Sequence, residues 1–152
     1  MRRPGLFPRS LLSAALLTAF SIPARAAVAP SAVTDLRVLS IVSTGLGASS
    51  MTVTLVWTAP GEEGAAGTLN NSTFTIKYSS SLPILNDADF NNAGFTLNIA
   101  TTNIEPGSLQ SVSIPYLNAA ATHYFVLKTT DTEKLSSAIS AAATAQAYVL
   151  TF

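Results

Sequence analysis

The stretch VTLVWTAPGEEG, residues 53–64, joins a short extended segment to a sharp turn. Its apolar residues Val53, Leu55 and Trp57 occupy alternate positions. Thr52, Thr54 and Thr58 occupy the other face, with Val56 as the one apolar exception. An alternation with period two places the apolar set on one face of a β-strand. The proline and glycines that follow predict a turn directly after the strand.

The same alternation recurs along the chain, and Gly, Pro and Asn separate the segments at short intervals. Six strands are predicted in this way. The segment from Ser136 to Ala147 is Ala-rich and would also tolerate a helix by intrinsic propensity, and its later part runs from Ser140 to Ala147. We predict a seventh strand there, because six strands leave an open sandwich edge and packing overrides weak propensities. The sequence therefore predicts an all-β, seven-stranded sandwich.

The inward positions of these strands predict the core. We expect Trp57 inside that core, and not on the surface as a sugar-stacking platform, because it shares a face with other apolar residues. The predicted structural core is Leu36, Val53, Leu55, Trp57, Phe74, Ile76, Tyr78, Val112, Ile114, Leu117, His123, Phe125 and Leu127.

The first residues have a different pattern from the rest. Arginines precede an apolar run over 11–22, and Ala24-Arg25-Ala26 gives a small-x-small cleavage pattern. The run is shorter than the roughly 20 residues that span a bilayer. We therefore expect an exported protein, in the periplasm or at the cell surface. The predicted segments are a signal peptide over 1–26, a short linker over 27–31, one domain over 32–147 and a β-prone tail over 148–152.

Removal of the signal peptide leaves four cationic side chains against eight carboxylates, a net charge of −4. An acidic chain without basic clusters repels phosphate backbones, so nucleic acid is not expected as a partner, nor is an anionic membrane surface. We also expect no stable membrane insertion. The chain has no cysteine, which excludes disulfides and thiol catalysis.

The stretch at residues 53–64 resembles the second strand and following loop of fibronectin type III modules in secreted bacterial proteins. Further segments resemble the module in the order that the family has them, and together they cover Ala32 to about Ala147. The resemblance implies a seven-stranded, immunoglobulin-like sandwich. These segments are Val33 to Leu36, Ile76 to Ser79, Tyr124 to Lys128, Asp131, and Ser137 to Ser140.

The family's sixth strand usually follows a Leu-x-Pro-x-Thr-x-Tyr pattern, whose Tyr hydroxyl bonds back to the backbone. Here Leu117 keeps its place, while Ala119, Ala121 and His123 replace the Pro, Thr and Tyr. An imidazole nitrogen can supply the same kind of bond. The alternative is a one-residue shift that puts Tyr124 in the corner, but it would turn the apolar residues after it to the wrong face. We expect His123 to point inward.

No constellation of nucleophile, base and orienting group can be assembled, so we expect neither an enzyme nor a cofactor. His123, the only histidine, is assigned a structural role. Asp87, Asp89 and Asn91 alternate like the start of a calcium loop, but Asn92 replaces the glycine and no Glu closes the loop. We expect solvated loop residues there and no metal.

Other polar and aromatic residues are assigned to the surface. Glu62, Glu63 and Asp131 are expected to be solubilising charges on two loops that need not share one end of the sandwich. The aromatic candidates for the surface are Tyr116, Tyr124 and Phe90.

Our first hypothesis is a non-catalytic extracytoplasmic binding or structural module that mediates protein–protein contact, adhesion or surface assembly through its loops and sheet edges. The alternative is an accessory or spacer module of a secreted polysaccharide-degrading system that binds or positions glycan. The partner is another protein or a surface polymer. The chain could also self-associate through a sheet edge or through its tail, because unpaired strands and β-prone segments pair with one another.

Overall fold

A computed structural model describes residues 26–43 and 49–146 of the chain. The predicted signal peptide up to residue 25, the end of the predicted domain at Ala147 and the predicted tail over 148–152 lie outside the described residues. The helices and strands are β1 (Arg37–Ser43), β2 (Ser50–Thr58), β3 (Thr73–Ser79), α1 (Asp87–Asn92), β4 (Phe95–Ala100), β5 (Leu109–Asn118), β6 (His123–Thr130) and β7 (Ala143–Ala145).

The strands form two antiparallel sheets. One sheet has the order β1-β2-β5, and the other has the order β4-β3-β6-β7. Within the first sheet Val53 lies opposite Ile114, and within the second Ile76 lies opposite Leu127. These apolar residues point into the space between the sheets, so the fold is an all-β sandwich.

Trp57 lies at the centre of that space. Its side chain is only 1% exposed, and its ring meets the Phe74 ring edge-on with centroids 5.3 Å apart. Residues from both sheets complete this core, including Leu55, Phe125 and Leu127, each with no exposed surface. The alternation that predicted the strands thus also fills the interior.

Most of the residues assigned to the core are buried. Two of them, Tyr78 and Val112, are only half-buried and pack against the rim of the core. Val112 lies on β5, which is an edge strand of its sheet, and Tyr78 lies close to the end of β3. The buried ones are Leu36, Val53, Leu55, Trp57, Phe74, Ile76, Ile114, Leu117, His123, Phe125 and Leu127.

The last strand is shorter than predicted, because β7 covers only Ala143–Ala145 instead of starting at Ser140. Serine side chains replace ordinary strand pairing before it. The Leu127 amide donates to Ser140 Oγ at 2.9 Å, and the Thr129 amide donates to Ser137 Oγ at 3.0 Å. These serine hydroxyl oxygens accept hydrogen bonds that backbone carbonyl oxygens accept in a regular ladder. The segment from Ser137 to Ser140 therefore lies beside β6 without forming a regular strand.

The segment expected to be a loop around Asp87 is instead the helix α1. Asn86 caps it, since its side chain accepts from the Asp89 amide at 2.9 Å, and Asp89 accepts in return from the Leu85 amide at 2.9 Å. This reciprocal pattern is a variant of the capping box. Phe90, expected on the surface, is 6% exposed and packs against the outer face of the second sheet with Ile84 and Val126.

The predicted linker over 27–31 is held against the β2–β3 loop. The Ser31 amide donates to the Gly64 carbonyl at 3.0 Å, and the Gly64 amide donates to the Ala29 carbonyl at 3.2 Å. Gly64 has a φ of 67°, a conformation that glycine adopts without strain. At Gly61 a side chain would collide with the backbone of Ala66. The glycines of the PGEEG turn therefore fold this loop back toward the N-terminal segment.

Candidate functional site

The two ends of the sandwich differ in character. One end, the acidic end, consists of the N-terminal segment before β1 and the loops β2–β3, β4–β5 and β6–β7. The other end carries the β3–β4 connection with α1, the β5–β6 turn and the end of β7. The acidic end carries six of the eight carboxylates that follow the predicted signal peptide: Asp35, Glu62, Glu63, Glu105, Asp131 and Glu133.

The residues after the predicted signal peptide carry a net charge of −4, and this excess lies at the acidic end. Of the cationic side chains in the described residues, only Arg37 and Lys134 lie there to balance it. The other four charged side chains cancel one another around α1. Lys128 Nζ lies 2.9 Å from Asp87 Oδ1, and both Lys77 and Lys128 lie about 5 Å from the centre of the Phe90 ring, at 5.2 and 5.0 Å.

The loops that carry Glu62 and Asp131 meet at the acidic end, a placement that the sequence left open. Thr132 Oγ1 donates to Glu62 Oε1 at 2.7 Å, which joins the β6–β7 loop to the β2–β3 loop. Asp131 is not a solubilising charge, because it is 1% exposed and its Oδ1 accepts from the Leu135 amide at 2.8 Å. Its carboxylate organises the turn of the β6–β7 loop.

Asp35 lines an open cleft of ≈ 560 Å³ at this end. Thr58 donates to its carboxylate from Oγ1 at 2.6 Å and from the backbone amide at 3.0 Å. These two bonds, with a smaller contribution from Arg37, hold the pKa of Asp35 below its ordinary value of 3.8. The other residues that line the cleft are not ionisable, so the cleft offers no acid–base pair. Among them are Ser31, Thr34, Pro60 and Pro106.

His123 is 3% exposed and lies in the core beside Tyr78 and Phe125, with ring centroids 6.3 Å from each. Its Nε2 lies 3.0 Å from the backbone oxygen of Asn118. Since a carbonyl oxygen only accepts, Nε2 carries the hydrogen and donates it. His123 thus bonds back to the chain five residues upstream and joins the β5–β6 turn to the core.

Asp87 and Asp89, which the sequence assigned to a solvated loop, stabilise α1 instead. Asp87 pairs with Lys128, and Asp89 caps the helix. Within residues 26–43 and 49–146, no group of three or more His, Asp or Glu side chains is placed to hold a metal ion.

The end opposite the carboxylates, which we call the apolar end, exposes large apolar side chains. Leu82 and Leu85 in the β3–β4 connection are 72% and 73% exposed. Phe95, at the start of β4, is 52% exposed and stacks on Tyr78 with centroids 4.7 Å apart and planes 7° from parallel. Burial raises the pKa of the Tyr78 hydroxyl above its ordinary value. Solvent-facing leucines of this kind are typical of contact surfaces when several occur together.

Tyr116 adds a fourth exposed apolar side chain to this end. It is 89% exposed and lies in a β-bulge of β5, where the register with β2 shifts between Met51 and Val53. Its φ of 61° is unusual for an aromatic residue. Of the three aromatic residues assigned to the surface, Tyr116 is exposed, Tyr124 is half-buried and Phe90 is buried.

Sequence reasoning missed Leu82, Leu85 and Phe95 as surface residues. The two leucines occur in SSSLPILN, residues 79–86, where serines and a proline surround them and no strand periodicity is present. This loop-like composition is the sequence signal that could have identified the two leucines as exposed. Phe95 follows the strand alternation and points to the inner side of β4, but β4 is an edge strand and leaves half of the ring uncovered.

The architecture defines the chain as an all-β, two-sheet protein with an acidic end and an apolar end. No protein-family model matches the chain, and no curated protein matches it. In the described part of the chain, none of the helices has the length and apolar character needed to cross a membrane.

Proposed function

We propose that the protein is a non-catalytic, extracytoplasmic binding module of the fibronectin type III type that holds another protein or a surface polymer. The observation that carries the proposal is the concentration of exposed leucine and aromatic side chains at the apolar end. Export is proposed from the signal-peptide pattern at the start of the sequence. Adhesion or assembly of a surface structure is the process that such a module serves.

Three features support the fibronectin type III type. In antibody constant-type sandwiches the fourth strand joins the sheet of the first two, whereas here β4 pairs with β3. Trp57 on β2 is the central core residue. The bond from His123 to the Asn118 carbonyl replaces the tyrosine hydroxyl bond that the family's pattern places at the same corner.

Binding through the apolar end is favoured by its energetics. Full burial of an exposed leucine stabilises a complex by roughly 1.5–3 kcal/mol, and aromatic side chains dominate many interfaces. Leu82 and Leu85 lie three residues apart and are both largely exposed, so one partner surface can cover both. The net charge lies at the opposite end and does not oppose an uncharged or acidic partner here.

The experiment compares capture of partners from an envelope fraction by the immobilised wild type and by the double variant Leu82→Ser/Leu85→Ser. We expect capture to fall at least about tenfold, because the lost apolar burial exceeds the 1.4 kcal/mol that corresponds to a factor of ten. Leu109→Ser is the matched control, since Leu109 is 63% exposed but lies at the start of β5, at the acidic end. Equal capture by all three proteins would contradict the proposal.

The second candidate function is a glycan-positioning module of a secreted polysaccharide-degrading system. Its support is the exposed ring of Tyr116 at the same end as the half-exposed Phe95, because flat aromatic rings stack on sugars. A panel of immobilised polysaccharides separates the two functions. Retention on a polysaccharide that Tyr116→Ala abolishes, without capture of envelope protein, would favour the glycan module.

A further inference from the structure

Among the described residues, β1 leaves one edge of its sheet unpaired, although β7 of the other sheet lies near it. It pairs with β2 on one side, and no other described strand pairs with it. Three of its apolar side chains are exposed: Leu39 at 63%, Ile41 at 39% and Val42 at 57%. An exposed edge with apolar side chains is a template for pairing with another strand.

This edge lacks two of the features that usually block pairing, charged side chains and proline. No charged residue and no proline occurs from Val38 to Ser43. The one irregularity is a bulge at Leu39, which leaves Ser40 to Ser43 in regular register with β2. The segment that can pair is therefore four residues long and uncharged.

The other edges of the two sheets are less suited to pairing. The β5 edge is interrupted by Pro115 and by the bulge at Tyr116. The β7 strand has three residues, and the outward positions of β4 are the polar residues Thr96 and Asn98. The β4 edge is also regular and uncharged, but Phe95 is its one exposed large apolar side chain, whereas the regular stretch of β1 exposes both Ile41 and Val42.

We propose that β1 pairs antiparallel with β1 of a second copy of this chain, so that the two three-stranded sheets become one six-stranded sheet. A two-fold axis brings the same surface of both copies together, and the uncharged Ser40 to Ser43 segment meets itself without like charges opposite each other. Arg37 lies outside the paired segment, and its Nη1 lies 3.6 Å from Oδ2 of Asp35 in its own chain.

The charge distribution selects the antiparallel arrangement. β1 begins at the acidic end and runs toward the apolar end. Antiparallel pairing therefore points the two acidic ends away from each other, whereas parallel pairing would set them side by side and their negative charges would repel. A second copy of the chain fits this edge for two reasons. Its own Ser40 to Ser43 segment is uncharged, and the antiparallel arrangement keeps its acidic end distant from the first.

The dimer is expected to be weak. An edge pair of this length falls below the roughly 1,200 Å² that stable interfaces bury. We expect a reversible dimer at roughly 100 µM protein that dissociates on about tenfold dilution, as is typical of small, transient interfaces.

The test is sedimentation equilibrium of the purified protein, alone and without a partner, so its result is independent of the capture experiment above. Two variants place a lysine on the edge, Ser40→Lys and Val42→Lys. The matched control is Ser111→Lys, which adds the same charge to an exposed position on β5, at the other edge of the same sheet. Circular dichroism melting checks that each variant folds.

We expect both β1 lysines to shift the monomer–dimer equilibrium at least tenfold toward monomer, and Ser111→Lys to leave it unchanged. In the wild type, amides of residues 38–43 should exchange more slowly with deuterium in concentrated than in dilute solution. A wild type that stays monomeric across this range would overturn the proposal. A dimer that persists in both Ser40→Lys and Val42→Lys would also overturn the proposal. This includes a dimer that dissociates only when residues 148–152 are removed.

Discussion

Trp57 fills the centre of the space between the sheets, with its ring against the edge of Phe74. Its replacement by alanine removes the largest buried side chain of the core and leaves a cavity. We expect Trp57→Ala to lower the free energy of unfolding by ~3 to 5 kcal/mol, as is typical of buried aromatic residues. Urea unfolding of the two proteins, followed by circular dichroism, measures the difference. A loss below 1 kcal/mol, as at an exposed site, would contradict this placement.

The carboxylate of Asp35 makes stability depend on pH at the acidic end. Its pKa is lower in the folded protein than its ordinary value of 3.8, so its contribution to stability is present above that value and is lost as the pH falls below it. Thr58→Val removes the strongest of its bonds. We therefore expect this variant to be destabilised more at about pH 6 than at about pH 3, by urea unfolding.

The control for Asp35 is Thr54→Val on the same strand. The Thr54 hydroxyl lies 2.9 Å from the hydroxyl of Ser113, which does not titrate. Its effect on the free energy of unfolding should therefore be the same at both pH values. Equal pH dependence in the two variants would show that the Thr58 bond is not the source of the effect.

At the scale of elements, Phe90 attaches α1 to the second sheet. It packs against Ile84 and Val126 and has two lysine ammonium groups near its ring. A helix of six residues is not stable alone, so its order depends on this contact. We expect Phe90→Ala to increase deuterium exchange over 84–93 while the amides of β3 and β6 stay protected.

Phe95→Ala is the matched control for Phe90, because it makes the same substitution at a ring that is 52% exposed. It should leave exchange in α1 unchanged. Protection of α1 that persists in Phe90→Ala would contradict the proposed attachment.

Strand positions could be predicted because alternation with period two depends on neighbouring residues, and Val53, Leu55 and Trp57 carry it plainly. The final strand and α1 could not be predicted in the same way. Ser137 and Ser140 turn their hydroxyls onto the β6 backbone, and that choice depends on a neighbouring strand. The helix α1 shows no apolar periodicity beyond Phe90, although the Asn86 and Asp89 pair was a readable start signal.

At the scale of the whole molecule, the sequence supplies the net charge but not its location. The net charge alone argued against nucleic acid and anionic membrane surfaces as partners. The structure places the carboxylate excess at one end of the sandwich and the exposed leucines at the other. Glu62 and Thr132 are 70 positions apart and meet only because the fold brings their loops together. Contacts between distant loops depend on topology, which local patterns do not encode.

Both proposals depend on two sheets that close over a single indole. Trp57 is the only tryptophan, so fluorescence excited selectively at the indole reports on this residue alone. The most direct measurement is quenching of this fluorescence by iodide in the native protein and in urea. We predict that quenching in the native protein is at least about tenfold weaker than in the unfolded chain, because the indole is almost wholly buried. Equal quenching in the two states would place the indole in solvent and contradict the fold on which the account depends.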